Sequence, residues 1–192
     1  MSALTKKKKY TPAEYLALEA KAEFRSEFVD GYIIEMSGGT ENHNSITLNV
    51  AAELHARLRG KCRTHAIDVK VWINSWNSFV YPDVFVVCGE SNYYNNRKDI
   101  LTNPQLIIEV LSDSTKIYDK GDKFIGYQTL ESLKEYILVD QDKFLVEQFT
   151  KNSDGKWVYQ ATIGQKSSVN FESLNVTLTL DEIYDLVEFE KE

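Results

Sequence analysis

Long apolar runs are absent from this sequence, which argues against a membrane-spanning protein. None of its apolar stretches approaches the roughly 20 residues that a membrane-spanning helix needs. No segment has the charge and apolar pattern of a signal peptide. We therefore expect a soluble protein with no membrane partner.

Cysteine is scarce too, because Cys62 and Cys88 are the only two in the 192 residues. They lie far apart in the sequence and in no spacing typical of a metal site. His55 and His65 form no arrangement with Cys62 or with a serine that would indicate a zinc site or a nucleophile. We interpret this as a protein of a reducing compartment, and we expect it in the cytoplasm.

Positive charge is also in deficit: 22 basic residues stand against 29 acidic ones, for a formal net charge of −7. A protein that holds nucleic acid over a broad basic surface would carry the opposite sign. An enzyme that binds a phosphodiester through a metal ion and a local groove is not excluded. The basic run Lys6 to Lys9 is interpreted first as a solvated tail, with a DNA-binding arm as the alternative.

What the chain does contain is enough apolar material for one folded domain. Apolar residues make up 43% of it and aromatic residues 12%, which argues against intrinsic disorder. A chain of this length can bury a sizeable core. No repeat, linker or composition change divides it. We predict a basic N-terminal tail over residues 1–10 and a single domain over 11–192.

Helix and strand signals are interleaved along the domain. Helices are predicted over about 11–21, 43–59, from a cap at 112–115 to about 130, and 179–186. Strands are predicted as a hairpin over 27–34, then over 67–73, 79–87, 106–111, 136–139, 144–149 and from 157. This order indicates an α+β or mixed α/β fold, with a central mixed, mostly antiparallel sheet flanked by helices.

Two carboxylates fall inside apolar runs that have the composition of buried strands. Asp83 lies in the run 79–87, and Glu109 lies in the run 106–111. A charged carboxylate in a core is costly unless it is paired or binds a metal ion. If the two strands are neighbours, the acids repel each other, and a shared divalent cation is the economical explanation. Oxygen ligands favour Mg²⁺ or Mn²⁺.

Each acid also has a purely structural interpretation. Pro82 favours an edge strand, a bulge or a strand end, so the Asp83 carboxylate can simply close a turn. Glu109 can form a buried ion pair with Lys70 or Lys123. The residues alone leave both interpretations open.

The motifs around these acids, in their order along the chain, resemble those of one protein family. They are Tyr81-Pro82-Asp83, Glu109-Val110-Leu111-Ser112, Lys123 with Tyr127, Tyr136 to Asp140, Phe28 to Gly31, His43-Asn44 and Asp68 to Lys70. This set spans nearly the whole chain and resembles the Uma-two (DUF820-type) family of restriction-endonuclease-like proteins, within the PD-(D/E)XK nuclease superfamily. The resemblance implies a restriction-endonuclease-like core and hydrolysis of DNA phosphodiester bonds with Mg²⁺ or Mn²⁺.

One position departs from the superfamily pattern. The superfamily places a lysine two residues after the second acid, where this chain has Leu111. The resemblance implies a variant in which the lysine has moved to the following helix, at Lys123. An ammonium group there can orient the attacking water and offset transition-state charge. Lys116 and Lys120 are nearby but weaker candidates.

The resemblance also implies a metal-ligand set and a group of supporting residues. Asp83, Glu109 and the carbonyl of Val110 would hold the cation. Glu27 would complete the site directly or through water. His43, at a helix start, would contact a phosphate or a neighbouring acid.

Three more residues have weaker assignments. Asp68 and Lys70 are expected to share one strand face and to support the site from outside the metal ligands. Both have equally simple structural interpretations, as does Glu27. Tyr127 is interpreted first as a core residue.

Three functions are consistent with these patterns. The leading prediction is a Mg²⁺- or Mn²⁺-dependent DNA endonuclease, possible as a homodimer because two cuts in a duplex usually call for two active sites. The alternative is a nuclease fold that binds nucleic acid or protein without cutting, favoured by the acidic charge and by Leu111. A phosphodiesterase acting on RNA or a small nucleotide is the third.

Overall fold

Strands outnumber helices in the computed structural model, which describes residues 8–36 and 38–189. The strands are β1 (Ser26–Val29), β2 (Tyr32–Glu35), β3 (Cys62–Ala66), β4 (Lys70–Ile73), β5 (Ser78–Val80), β6 (Val84–Cys88), β7 (Ile100–Leu101), β8 (Leu106–Leu111), β9 (Glu135–Asp140), β10 (Leu145–Lys151), β11 (Trp157–Ile163), β12 (Ser168–Phe171) and β13 (Val176–Thr179). The helices are α1 (Pro12–Glu19), α2 (Glu41–Arg57), α3 (Lys116–Tyr118), α4 (Phe124–Gln128) and α5 (Leu180–Ile183). A π-helical turn over Asp119–Lys123 joins α3 to α4, and 3₁₀ turns cover Asn74–Trp76 and Tyr94–Asn96.

The described strands form two large sheets and one separate hairpin. The first sheet has the order β2-β1-β5-β4-β7, the second has the order β11-β10-β9-β8-β6-β3, and β12 pairs with β13. Parallel pairing joins β4 to β7 and β8 to β9, and the other pairs are antiparallel. The predicted mixed α/β class is confirmed, with its strands divided between two main sheets.

The chain passes from the first large sheet to the second through Tyr81-Pro82-Asp83. β5 ends just before this segment and β6 begins just after it. Pro82 has no N–H group to contribute to a sheet ladder, which suits a break at this point. The prediction of one continuous strand over 79–87 is therefore wrong, and Asp83 lies immediately before β6.

The strand predicted over 67–73 is wrong in its first half. Ile67 has a φ of 66°, a left-handed conformation that a β-branched residue rarely adopts, and the strand begins only at Lys70. Upstream, β3 is a strand that the apolar pattern did not predict. It pairs with β6, where Cys62 faces Cys88 and the two form a disulfide. Disulfides are uncommon in reducing compartments, so this bond removes the argument from cysteine usage for a cytoplasmic protein.

The second large sheet is covered on both faces by apolar side chains. α2 packs on one face through Ile46, Val50 and Leu54, and α4 packs on the other through Phe124 and Tyr127. Along β8, alternate residues point to opposite faces. Ile108 and Val110 join the α2 side, whereas Ile107 and Leu111 join the α4 side. Glu109 therefore points into the layer beneath α4.

The N-terminal segment is packed against the first hairpin as far as the structure describes it. Lys9 Nζ lies 3.1 Å from Asp30, and the Tyr10 N–H donates to the Gly31 carbonyl over 2.8 Å. Lys8 and Lys9 of the basic run belong to this packed segment, and the rest of the run lies outside the described residues. No helix within the described ranges is long and apolar enough to cross a membrane.

Candidate active site

Asp83 and Glu109 are brought together by the antiparallel pairing of β6 with β8, in which Val84 faces Ile108. The Asp83 N–H donates to Glu109 Oε2 over 3.3 Å, and the Val110 N–H donates to Asp83 Oδ2 over 2.7 Å. Each carboxylate is thus held by the backbone beside the other. The Glu109 side chain is almost fully buried, whereas the Asp83 side chain is 21% exposed and accessible from solvent.

Lys123 is a buried cation that contacts three acids. Its Nζ lies 2.9 Å from Glu109 Oε1, 3.2 Å from Glu27 Oε1 and 3.6 Å from Asp119 Oδ1. Only 7% of its side chain is exposed. A buried ammonium needs partners of opposite charge, and these acids supply them. The predicted helix lysine therefore lies among the acids of the site. Lys123, its three acidic partners and the adjoining Asp83 are called the acidic centre below.

A π-helical turn carries both Lys123 and Asp119. The helix predicted to run without interruption to about residue 130 contains this wider turn, and both residues are buried. Such turns occur frequently at functional sites. The helix also lies very close to Trp76, since a Cβ on Gly126 would stand 2.2 Å from Trp76 Cε3. Gly126 is required there because a side chain would collide with the Trp76 ring.

The charge states at the centre follow from burial opposed by ion pairing. For Lys123, desolvation lowers the pKa, but the carboxylates of Glu109 and Glu27 outweigh it and hold the pKa well above its ordinary value. The surrounding acids thus favour the charged form of Lys123. For Glu109, burial raises the pKa well above 4.5, although the nearby Lys123 charge opposes this. Burial likewise raises the pKa of Asp119. These two acids hold their protons more tightly than exposed ones.

Tyr127 and Asp119 contact the centre in ways that the sequence analysis did not predict. The Tyr127 hydroxyl donates to Glu109 Oε1 over 2.8 Å, so Tyr127 is a partner of the site acid as well as a core residue. Asp119 was not predicted, and its carbonyl also accepts from the Tyr136 hydroxyl over 2.9 Å. Asp119 and Tyr127 stand four residues before and after Lys123, and this helical spacing is the signal that would have identified them.

Glu27 links the first sheet to the centre. It lies in β1, which pairs with β5, and its side chain is 8% exposed. Besides Lys123, it accepts a hydrogen bond from the Tyr81 N–H over 3.0 Å. Glu27 therefore fixes the segment that leads from the first sheet to Asp83.

His43 contacts Asp83 from α2, on the other face of the sheet. Thr40 caps α2 by accepting from the His43 N–H over 3.1 Å, which places the imidazole at the helix start. The imidazole Nε2 lies 3.3 Å from Asp83 Oδ2, and the ring also hydrogen-bonds the Val110 backbone. Burial lowers the pKa of His43, but the hydrogen bond and charge of Asp83 outweigh it, so the pKa is raised.

Asp68 and Lys70 are not brought to this centre. Asp68 forms an ion pair with Arg25, and Lys70 lies 3.7 Å from Asp99. Neither of them is a hydrogen-bond or ion-pair partner of Asp83, Glu109 or Lys123 within the described ranges. The expected common strand face is wrong, because β4 begins only at Lys70.

The two alternative lysines of the helix also point elsewhere. Lys116 lies 3.3 Å from Asp140, and Lys120 pairs with Glu147 on the sheet. Among the helix lysines, Lys123 is thus the one that contacts the acidic centre.

An open groove of about 740 Å³ leads to Asp83. Its lining includes Phe24, Arg25, His43, Tyr81 and Asp83. Glu109 and Lys123 are not part of this lining and lie behind Asp83. A ligand in the groove therefore meets Asp83 and His43 first.

The donor atoms at the centre suit a hard divalent cation rather than zinc. No group of three His, Cys, Asp or Glu side chains in residues 8–36 and 38–189 is arranged to hold a metal ion. The available donors are the Asp83 and Glu109 carboxylates and the Val110 carbonyl. His43 bonds both Asp83 and the Val110 backbone, so both groups lie beside one imidazole. Mg²⁺ commonly binds through one or two carboxylates and keeps several waters, so this set fits it.

Comparisons with known proteins agree on one family. The model of the Uma2 family, described as "Putative restriction endonuclease", matches residues 12–181. Two proteins of Synechocystis sp. are similar: Uncharacterized protein sll1609 is 36% identical over 86% of this chain and 94% of its own length. Uncharacterized protein slr1290 is 32% identical over 92% of each chain.

A solved structure has the same fold. It is described as a putative nuclease belonging to DUF820 from Anabaena variabilis, and it superposes with a TM-score of 0.77. The match covers 93% of this chain and 99% of that chain, at 16% sequence identity. At this identity the likeness concerns the fold.

Proposed function

Since the chain belongs to the Uma2 family, described as "Putative restriction endonuclease", we propose that it is a metal-dependent endonuclease that hydrolyses DNA phosphodiester bonds. Asp83, Glu109 and the Val110 carbonyl hold Mg²⁺ or Mn²⁺ in this proposal, and Lys123 is the third catalytic group. The observation that carries it is the placement of the Lys123 ammonium 2.9 Å from Glu109, which is itself bonded to the Asp83 backbone. A salt bridge of purely structural purpose would not require the partly exposed Asp83 in front of it.

Each residue has a distinct task in this mechanism. The cation, when bound, supplies Lewis-acid polarisation of the phosphate and acidification of a water molecule. Lys123, whose charged form is favoured by the acids around it, orients the attacking water and stabilises negative charge on the phosphoryl oxygens. It is too strongly paired to act as a base. Tyr127 fixes the Glu109 carboxylate, and Glu27 fixes Lys123 and the segment preceding Asp83.

His43 is placed to meet the substrate from the groove. Its imidazole contacts Asp83, and both residues line the open space in front of the centre. With its raised pKa, the protonated form persists to a higher pH than in an exposed histidine. A protonated His43 can donate to a phosphate oxygen once the substrate enters.

The direct test is cleavage of supercoiled plasmid by the purified protein with Mg²⁺ or Mn²⁺. Asp83→Ala and Glu109→Ala should each abolish cleavage, because each removes a metal ligand. Asp113→Ala is the matched control, since Asp113 is an exposed acid that lies shortly before α3. Cleavage that survives both site substitutions would sink the proposed centre. A panel with RNA and cyclic dinucleotides separates a DNase from the other phosphodiesterases.

A nuclease fold that binds without cutting is the second candidate. It is favoured by the net charge of −7 and by Leu111, which stands where the superfamily has its lysine. Calorimetric titration with Mn²⁺ separates the two, because the endonuclease requires binding that Glu109→Gln weakens. Heat of binding that is absent, or unchanged by that substitution, would favour the second candidate.

We further propose that the enzyme acts in the cytoplasm, a placement that the Cys62–Cys88 disulfide does not support, and that it is a homodimer with one nuclease domain over residues 11–192 in each subunit. The reason is chemical, since two strands of a duplex are cut most simply by two centres. Sedimentation analysis tests the dimer, and limited proteolysis tests the single domain.

A further inference from the structure

β11 forms one edge of the second large sheet. It stands at the end of the strand order β11-β10-β9-β8-β6-β3 and pairs on one side with β10. Each of its seven residues faces one residue of β10, so the strand extends the sheet without a bulge. The described part of the chain offers its other side no partner strand. An edge strand presents a row of N–H and C=O groups to which a further strand can bond.

The composition of β11 gives this edge none of the usual protection against pairing. Natural edge strands carry charged side chains, proline or bulges that keep other strands away. The segment 157–163 contains no charged residue and no proline. Val158 is 53% exposed, Tyr159 54% and Ile163 70%. Three large apolar side chains thus face solvent along one strand, which is typical of a surface that another protein chain covers.

The other edges of the two large sheets are better protected. At the far end of the same sheet, β3 carries Arg63, which donates to the Gly89 carbonyl over 2.8 Å. In the first sheet, β2 ends in Glu35 and has the Lys9 ammonium 5.0 Å from the centroid of the Tyr32 ring. β7, at the opposite edge of that sheet, has only two residues. β11 is thus the long, uncharged edge among them.

Backbone hydrogen bonds show which residues of β11 point outward. Immediately after the strand, the Gly164 N–H donates to the Phe144 carbonyl over 3.0 Å, so these two residues form a hydrogen-bonded pair. Such pairs alternate along antiparallel strands, so the even-numbered residues of β11 bond toward β10. The odd-numbered residues therefore point their N–H and C=O groups outward. The Ile163 carbonyl agrees with this, since it accepts from the Ser167 hydroxyl over 2.8 Å.

We propose that β11 pairs antiparallel with β11 of a second copy of this chain, which joins the two sheets across a two-fold axis at Gln160. Gln160 is the middle residue of the strand, so this register pairs all seven residues of each copy. The side chains that face one another form favourable cross-strand pairs: Trp157 with Ile163, Val158 with Thr162 and Tyr159 with Ala161. The inference rests on the homodimer of the proposed function and not on the cleavage of DNA.

Hydrogen bonding and charge both favour a second copy as the occupant. In this register the odd-numbered residues face one another, so their outward N–H and C=O groups pair across the axis. Like charges do not meet along the strand, because it has none. Just beyond it, Asp154 of one copy comes to the end where the other copy has Lys166. Nucleic acid is disfavoured, because β11 offers no cation to its phosphates.

The test uses the position of Gln160 on the axis, where it faces the same residue of the second copy at a Cα separation of about 4.5 Å. Gln160→Lys places two ammonium groups opposite each other, and Gln160→Glu places two carboxylates there. Each variant should raise the dimer dissociation constant about tenfold or more, measured by sedimentation velocity over a series of protein concentrations. An equimolar mixture of the two variants should dimerise again, because unlike charges then meet.

Ile34→Lys is the matched control. It places a lysine at an exposed position of β2, the edge strand of the other large sheet. This variant should sediment as the unaltered protein does.

The outcomes separate this inference from the proposed function. A dimer that neither Gln160 variant weakens forms through another surface, which would overturn the inference and leave the homodimer standing. Variants that dissociate but are not rescued by mixing would overturn the pairing at Gln160. An unaltered protein that is monomeric at every concentration would overturn both the homodimer and the second copy as the occupant of β11. Plasmid cleavage with Mg²⁺ is measured in parallel, and its absence in a protein that dimerises as expected contradicts the endonuclease alone.

Discussion

Lys123 shows how a side chain on a helix can replace one that is missing from a strand. In β8 the position two residues after Glu109 is Leu111, which packs in the core. The ammonium group instead reaches Glu109 from the helix that covers the same face of the sheet. Its burial fixes its position, since three acids surround it. A lysine held this way is oriented before any substrate arrives.

The first prediction concerns this lysine. Lys123→Met should lower the rate of plasmid cleavage by about 10²- to 10³-fold, because it removes a preorganised charge from the transition state. The measurement is single-turnover cleavage at saturating Mg²⁺. Lys120→Met is the control in the same helical turn, since Lys120 pairs with Glu147 away from the centre. Equal rates for the two variants would contradict the assignment, with circular dichroism confirming that both are folded.

The second prediction concerns the proton on Glu109. Its pKa in the native protein is well above 4.5, chiefly because it is buried, so the native state keeps this proton to a higher pH than the unfolded chain does. The stability that this proton contributes is complete below the unfolded pKa and is lost as the pH rises through the native pKa. Lys123 does not contribute to this dependence of stability on pH, because its pKa is raised above 10.5 and it stays charged where Glu109 titrates.

Glu109→Gln should therefore be less sensitive to pH than the unaltered protein. As the pH rises above the unfolded pKa of Glu109, the unaltered metal-free protein should lose unfolding free energy relative to the variant, because its native state holds this proton more tightly. Urea denaturation with EDTA at a series of pH values measures this difference. Parallel pH profiles for the two proteins would show that Glu109 does not titrate as described.

At the scale of an element, the helical segment from α3 to α4 is shaped by its close approach to Trp76. Gly121 and Gly126 both weaken the helix in intrinsic terms, but they stand in different surroundings. A Cβ on Gly121 would meet no atom within 4 Å, whereas one on Gly126 would collide with the Trp76 ring. Only the second glycine is required by packing.

The third prediction uses this contrast. Gly126→Ala should destabilise the protein by about 1–3 kcal/mol, because a rigid ring must move to admit the methyl group. Gly121→Ala should stabilise it by up to about 1 kcal/mol through helix propensity. Thermal denaturation of the two variants measures both effects. A similar melting temperature for the two would mean that the helix does not pack against Trp76 as described. Trp76→Leu combined with Gly126→Ala should restore part of the loss.

Local patterns predicted the elements that are defined by their own residues. β8 has a continuous apolar run, and α2 repeats its apolar residues every four positions, so both were predicted close to their observed bounds. β3 was missed because Cys62 to Ala66 has no apolar alternation and is a strand only through its pairing with β6. The left-handed conformation of Ile67 and the π-helical turn depend on tertiary packing, which no local sequence pattern indicates.

The residues of the candidate site likewise differ in how far the sequence alone could predict them. Asp83 and Glu109 were recognisable because a charge inside an apolar run is conspicuous. Lys123 needed the family resemblance, since a helix lysine is usually solvated. The contact of Tyr127 with Glu109 and the distance of Lys70 from the centre depend on how the sheets and helices dock.

At the scale of the whole molecule, the disulfide joins an edge strand of the second large sheet to its interior. Cys62 in β3 and Cys88 in β6 are 26 residues apart in sequence, so the bond closes a loop that contains β4 and β5. Closing a loop of this size restricts the unfolded chain.

The fourth prediction follows from this loop. Cys62→Ser combined with Cys88→Ser should lower the unfolding free energy by about 2–4 kcal/mol, mainly through greater freedom of the unfolded chain. Guanidinium denaturation of the two proteins without reductant measures the difference. In the presence of reductant the unaltered protein should approach the double variant. A reductant-independent midpoint would show that the two thiols are not joined in solution.

The crossing at Tyr81-Pro82-Asp83 has a consequence for how the chain acquires activity during synthesis. Glu27 belongs to the first sheet and Glu109 to the second, so the centre forms only when both sheets are complete and docked. A growing chain that ends before Lys123 contains both carboxylates of the predicted metal site but not the ammonium. Partly synthesised or partly unfolded chains therefore lack the assembled centre. If the protein cuts DNA, it can do so only once the two sheets have docked and Lys123 is in place.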